Sequence, residues 1–162
     1  MDNKIKEKID YEISKINKLI FEGKPLIDLC KKTKELDFIY KSAAGSFLHS
    51  FYNGIESTIL LILKSMPENI PNDIQWHKKL LDRAFEATEK RPALFNDENK
   101  KQLEDYMRFR HLFRHTYEYE LDPIKIIYLI NGVEKLWENI KHDINIFVNQ
   151  VLHNNNDRVV GI

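Results

Sequence analysis

The sequence predicts an all-α fold, a single-domain bundle of about five helices. Three observations carry that prediction. Apolar residues recur every three or four positions along nearly the whole chain. No segment of useful length alternates with the two-residue period of a strand. Gly and Pro number five each among 162 residues, too few for a loop-rich β-sandwich or a disordered chain. With 43% hydrophobic residues there is enough material for one packed core, and 31% charged residues give a well-solvated surface. Neither an internal repeat nor a linker divides the chain. Residues 1–153 are therefore assigned to one helical domain, and 154–162 to a tail expected to fray.

Each element follows from an apolar stripe and the residues that interrupt it. From Lys4 to Phe21, Ile5, Ile9, Ile13, Ile16 and Ile20 form one helix face. Gly23 and Pro25 in "EGKP" break it. A second, short helical stretch carries Leu26, Leu29 and Leu36. The third, "YKSAAGSFLHSFYNGIESTILLILKSM", is the most apolar. Its stripe is Ala44, Leu48, Phe51, Ile55, Ile59 and Ile62, widened by Phe47, Tyr52 and Leu63, which predicts a central helix packed on several sides. It ends before Pro67, and "PENIPND" reads as a loop in which Asn72 or Asp73 caps a short helix, "IQWHKKLLDRAFEAT". "KRPALFND" is a further loop. Asn96 then has the form of an N-cap, with Asp97 and Glu98 in the first turn where the helix dipole favours acids. That helix is expected to run to the neighbourhood of Tyr119, because Asp122-Pro123 reads as the cap and first residue of the final helix. The final stripe is Ile124, Ile127, Val133, Leu136, Trp137, Ile140, Ile144, Phe147 and Val151.

Charge and cysteine usage exclude several function classes. Lys plus Arg and Asp plus Glu balance at 25 each, so the global field does not attract nucleic acid, and any anion binding must come from a local concentration of cations. Cys30, the single cysteine, forms neither an internal disulfide nor a cysteine zinc site and is expected to be a small buried side chain. The start lacks the apolar core of a signal peptide. The longest aliphatic run, Ile59 to Leu63, falls far short of the roughly 20 apolar residues of a membrane span. A soluble, cytoplasmic protein is the expectation.

The chemistry concentrates in "RFRHLFRHTYEYELDP", Arg108 to Pro123. On a helical wheel Leu103, Tyr106, Met107, Phe113 and Tyr117 fall on one side, with Arg110 near the middle of it. A charge within an apolar stripe is costly without a partner. Glu56 is the candidate, since Asn53 and Glu56 interrupt the apolar face of the central helix in the same way. His115 follows Arg110 by five residues and Tyr117 by seven, giving R-x-x-x-x-H-x-Y. Five residues are about 140° of rotation on a regular helix. Arg110 and His115 therefore converge only if the helix loosens near His115 or if a second copy completes the site. Arginine offers a planar donor fork that fits phosphate, and histidine exchanges protons near neutral pH. Together they suffice for metal-free RNA cleavage, one group assisting proton transfer and the other stabilising the charged phosphorane.

"RHLFRHTY", Arg110 to Tyr117, resembles the R-x-x-x-x-H-x-Y signature of HEPN-domain ribonucleases, most closely HepT-like toxins. "FLHSFYNGIESTILLILK", "WHKKLL" and "FRHLFRHTYEYELDP" resemble, in order, stretches of that group. The resemblance implies a helical-bundle endoribonuclease toxin of a type VII toxin–antitoxin system. It implies a homodimer in which the Arg-His motifs of two protomers face each other across a cleft, cleaving RNA such as tRNA or mRNA without metal or cofactor. The implied antitoxin is a nucleotidyltransferase of the MNT family, which adenylylates the motif tyrosine. By position, Arg110 would bind and stabilise the scissile phosphate, His115 would transfer protons, and Tyr117 would accept AMP and help position RNA. Added AMP would bring bulk and negative charge to the cleft. Arg108, His111 and Arg114 are expected to line the RNA path or form a solvated face. Asn53 and Glu56 are expected to orient Arg110, and Trp76-His77 to supply packing and a surface or capping histidine.

Two rival readings use the same residues. His111 and His115 have the i, i+4 spacing of zinc-binding helices, but Leu112 stands where the glutamate of H-E-x-x-H would be. Some HEPN domains, alternatively, are non-catalytic interaction modules that partner nucleotidyltransferases. The presence together of Arg110, His115 and Tyr117 favours the enzyme.

Overall fold

A computed structural model describes residues 3–66 and 76–159, the last eight of these by backbone alone. Six α-helices lie among the described residues, where about five were expected: α1 (Asn3–Glu22), α2 (Lys24–Cys30), α3 (Phe38–Lys64), α4 (Trp76–Ala84), α5 (Lys100–Phe113) and α6 (Pro123–Val159). Two short 3-10 turns, Asp97–Asn99 and Glu118–Glu120, precede α5 and α6. No β-strand occurs among the described residues, so the all-α prediction holds.

The central position of α3 follows from its apolar width. Leu48, Phe51, Tyr52, Ile55, Ile59, Ile62 and Leu63 are all fully buried, and the helix packs against α1, α4, α5 and α6. Phe51 sits at the crossing, with ring centroids 5.4 Å from Tyr106 of α5 and 6.4 Å from Trp137 of α6. Close approach needs small residues on α3. A Cβ on Gly54 would meet Ile16 of α1 at 2.7 Å, and one on Gly45 would meet Phe113 of α5 at 2.6 Å. Trp137 donates its indole N–H to Asn17 of α1 at 2.7 Å, so the one polar atom of a buried ring is satisfied. Lys24, at the start of α2, and Lys31, just past its end, both reach Glu134 of α6, at 2.8 and 2.6 Å. Those half-exposed bridges fix α2's orientation more than they stabilise it. Cys30 is buried, as expected.

Several boundaries differ from the sequence expectation. Leu36 lies beyond α2, and the N-cap of α3 is Asp37, whose side chain accepts from Tyr40 N–H. The expected caps Asn72 and Asp73 lie outside the described residues. Helix α4 ends at Ala84 rather than continuing to Thr88. The cause is Arg91, a buried guanidinium in the following loop that donates to the carbonyls of Arg83, Glu86 and Pro92 at 2.7–3.0 Å. The carbonyls of Arg83 and Ala84, which a helix running to Thr88 would bond to its own N–H groups, are taken by Arg91 and by the N–H groups of Leu94 and Phe95. Asn96 caps the 3-10 turn through Glu98 N–H and leads into α5. Asp122 caps α6 through Ile124 N–H at 2.9 Å, and Pro123 opens the helix, as predicted. Helix α6 reaches Val159, into the tail expected to fray; residues 160–162 lie outside the described set.

Because Phe51 fills the junction of three helices, Phe51→Ala should lower stability by about 3–5 kcal/mol. Urea denaturation measures this, and a loss below about 1 kcal/mol would mean the junction collapses around the smaller side chain.

Candidate functional site

The site is built on one face of α3 and the last turns of α5. Asn53 and Glu56 are three residues apart on α3 and so share a face. Both meet Arg110, whose side chain is 13% exposed. The Nε–H of Arg110 donates to Asn53 Oδ1, and its Nη2 lies 3.4 Å from Glu56 Oε1. The partnership expected from the interrupted apolar stripes is therefore present. No acceptor among the described residues engages Nη1 of Arg110.

Glu56, with its side chain 8% exposed, has a second and closer partner. His77 Nδ1 of α4 lies 2.6 Å from its Oε2. The ring of His77 also lies against Trp76, tilted by 32° with centroids 3.8 Å apart. His77 was expected to be a surface or capping residue; it is instead half-buried and bonded to the carboxylate that pairs with Arg110. The sequence signal for it is weak, since His77 and Glu56 are 21 residues apart on different helices.

The other end of the network runs through Asn53. Because an arginine Nε can only donate, Asn53 must present its oxygen to Arg110, which turns its amide nitrogen toward His49 Nε2 at 2.9 Å. His49 Nε2 must then accept, so the proton of the neutral imidazole sits on Nδ1. That Nδ1 is buried and has no partner among the described residues. Burial first, then the charges of Arg110 and Arg114, hold the His49 imidazole below its ordinary range, against a smaller opposing effect of Glu56. His49 also packs on Phe113, with ring centroids 5.4 Å apart. A five-residue polar chain, His49–Asn53–Arg110–Glu56–His77, thus crosses α3, α4 and α5.

The motif beyond Arg110 has a different character. Helix α5 stops at Phe113 instead of near Tyr119. The last turn tightens, with His115 N–H donating to Leu112 O at 3.0 Å. The loop then folds back onto α3. Leu121 is buried beside Gly45, and Lys41 donates to Tyr119 O at 2.7 Å. The helix therefore ends before His115, and among the described residues no hydrogen bond or ring contact joins His115 to Arg110. His115 itself is exposed, and its ring neighbour is His111, 4.8 Å away between centroids. Among the described residues no group of three His, Cys, Asp or Glu side chains stands close enough to hold a metal. Tyr117 was placed on the apolar side of α5. It lies past the helix end, 68% exposed, with its ring parallel to that of Tyr119 at 5.5 Å.

The remaining arginines differ. Arg108 is exposed but held by Glu104 and Asp105 of its own helix, each at 3.1 Å. Arg114 and His111 are exposed, and among the described residues no acid pairs with Arg114. Arg108 also borders a cleft between α5 and α6 with Phe109, Leu112, Lys125 and Tyr128.

A bundle of six α-helices around a central one, with no strand among the described residues, is consistent with a HEPN-like fold. The chain matches the family model of HepT-like proteins over residues 43–151, and it belongs to that family. The matched region contains the whole polar chain and the motif. No match was found to a curated protein or to a solved structure. Among the described residues no helix is long and apolar enough to cross a membrane.

A base whose folded-state affinity for protons is depressed binds its proton more readily when unfolded. The stability tied to neutral His49 is therefore intact above the ordinary imidazole range and is lost as pH falls through that range toward the depressed folded value. Melting temperature should fall as pH is lowered through and below the ordinary imidazole range, and less steeply in His49→Gln. Equal slopes in the two proteins would remove His49 from the acid response.

Proposed function

We propose that the protein is a metal-independent endoribonuclease toxin. Arg110 binds the scissile phosphate, and His115 transfers the proton. The observation that carries this reading is the state of Arg110. A permanent cation is seated at the edge of the core, oriented by Asn53 and Glu56, with Nη1 left over for a ligand. Arg91, by comparison, spends both terminal nitrogens on backbone carbonyls, whereas Arg110 makes one hydrogen bond, from Nε to Asn53. HepT-like membership supports the class of activity.

In this reading the site is completed by a second copy of the chain. Leu112, Tyr117, Tyr119, Ile124 and Tyr128 are exposed around the end of α5, and Phe38, Ile39 and Tyr40 are exposed at the start of α3. The Lys41–Tyr119 contact brings the two groups near each other. Exposed apolar side chains gathered in this way mark an interaction surface. A dimer there would bring two copies of His115 and Arg114 toward one cleft and create the local positive charge that the neutral chain lacks. The exposed Tyr117 is the acceptor for AMP from a nucleotidyltransferase antitoxin of the MNT family. Its modification would place negative charge in the path of RNA. Such a protein acts in the cytoplasm.

The deciding experiment is induced expression of wild type and His115→Ala, with total RNA analysed alongside growth. Growth arrest with new RNA fragments, both lost in the variant, is the expected result. Harmless wild type carrying unmodified Tyr117 by mass spectrometry would favour the non-catalytic interaction module instead. For purified protein, Arg110→Lys should lower the cleavage rate by about 100-fold, because an ammonium ion does not reproduce the planar fork. Arg114→Ala should weaken RNA binding and flatten its salt dependence more than Arg108→Ala, since Arg108 is already matched by two acids. A reversed order would displace the binding path from the end of α5.

A further inference from the structure

We propose that His77 is a positioning residue for Arg110: it holds Glu56 away from the guanidinium and so keeps Arg110 available for phosphate. The proposal rests on the reading of Arg110 as the phosphate-binding group.

The argument starts from unequal distances. One carboxylate serves two donors, and His77 Nδ1 stands at 2.6 Å from Oε2 while Arg110 Nη2 stands at 3.4 Å from Oε1. The first is a short hydrogen bond. The second is a looser ion pair, longer than a good hydrogen bond. Glu56 is thus committed to α4 and only leans toward α5. Because Glu56 is almost wholly buried, its attraction for Arg110 is weakly screened, and a small movement toward the guanidinium would produce a tight, two-pronged pair. A closed pair of that kind competes directly with a phosphate oxygen for the same fork. His77 opposes that closure by geometry, because its own ring is fixed. Trp76 lies against it, tilted by 32° with centroids 3.8 Å apart, and α4 packs against α3. On the opposite side Asn53 holds Nε, so Arg110 cannot swing away as a whole. The result is a guanidinium whose orientation is set by Asn53 and whose partial charge compensation is metered by His77.

The test uses three variants of the full-length protein. His77→Phe keeps a ring on Trp76 but removes the hydrogen bond, and His77→Asn keeps a donor near the position of Nδ1. His77→Phe/Glu56→Gln removes the charge that would otherwise collapse on Arg110, while the amide oxygen can still accept from the guanidinium and Asn53 still holds Nε. In RNA cleavage assays His77→Phe should raise KM by roughly tenfold with a smaller change in kcat, the size of one charge-assisted hydrogen bond. His77→Asn should stay within about threefold of wild type, and the double variant should recover most of the loss in His77→Phe. Inorganic phosphate, titrated against the Arg110 Nε–H resonance in nitrogen-15 NMR spectra, reads the same competition without RNA. Affinity should fall in His77→Phe and return in the double variant. A His77→Phe protein that binds RNA and phosphate like wild type overturns the proposal, as does one whose defect persists when Glu56 is neutralised, for that marks a packing role. Phosphate results as expected in a protein that cuts no RNA would leave this proposal standing and remove the ribonuclease reading.

Discussion

Arg110 imposes the central constraint on this bundle: a permanent cation must sit at the seam of α3 and α5 without being left alone and without being fully neutralised. Desolvating a guanidinium costs several kcal/mol even after relaxation, so an unpartnered arginine at 13% exposure would not be tolerated there. Glu56 supplies the countercharge and Asn53 a neutral acceptor, both from the same face of α3. That face can carry polar residues because the rest of α3 is so thoroughly apolar. Leu48, Phe51, Ile55 and Ile59 provide the burial that offsets a polar seam. The demand then propagates outward. Glu56 recruits His77 from α4, and Asn53 dictates the tautomer of His49.

The two halves of the motif differ in how they are held, and the difference suits their proposed roles. Arg110 is held at two atoms within packed helices. His115 follows the last turn of α5, on a segment whose backbone is leaving the helix. A phosphate-binding cation benefits from preorganisation, because no reorganisation is then needed as charge develops. A proton-transfer group on a helix end can adjust to a substrate or to a second protomer.

Helix ends in this protein are set by side chains that arrive from a distance. Arg91 ends α4 by taking carbonyl oxygens that further turns would have used. Leu121 and the Lys41–Tyr119 contact end α5 by drawing the following loop onto α3. Gly45 allows that approach, since a side chain there would strike Phe113. In both cases the local sequence is compatible with continued helix, and the tertiary alternative wins by burying an apolar or polar anchor.

The sequence by itself determined the parts that depend on periodicity and local chemistry. The stripes of α1 and α3, that of α6 from Val133 onward, the caps at Asn96 and Asp122, and the central place of α3 could all be read from residue spacing, because burial of one helix face leaves a 3.6-residue imprint; at the start of α6 the expected Ile124 is exposed and Ile126, Leu129 and Ile130 are buried instead. So could the pairing of Arg110 with Asn53 and Glu56, since polar residues interrupting two facing apolar stripes must satisfy one another. Only the tertiary structure decided where α4 and α5 stop, that Tyr117 stands clear of the apolar face, and that His77 belongs to the Arg110 network. Those features depend on contacts between residues far apart in the chain. The buried carboxylate of Glu56 selects its histidine by proximity in the folded bundle, and proximity across helices leaves no period in the sequence.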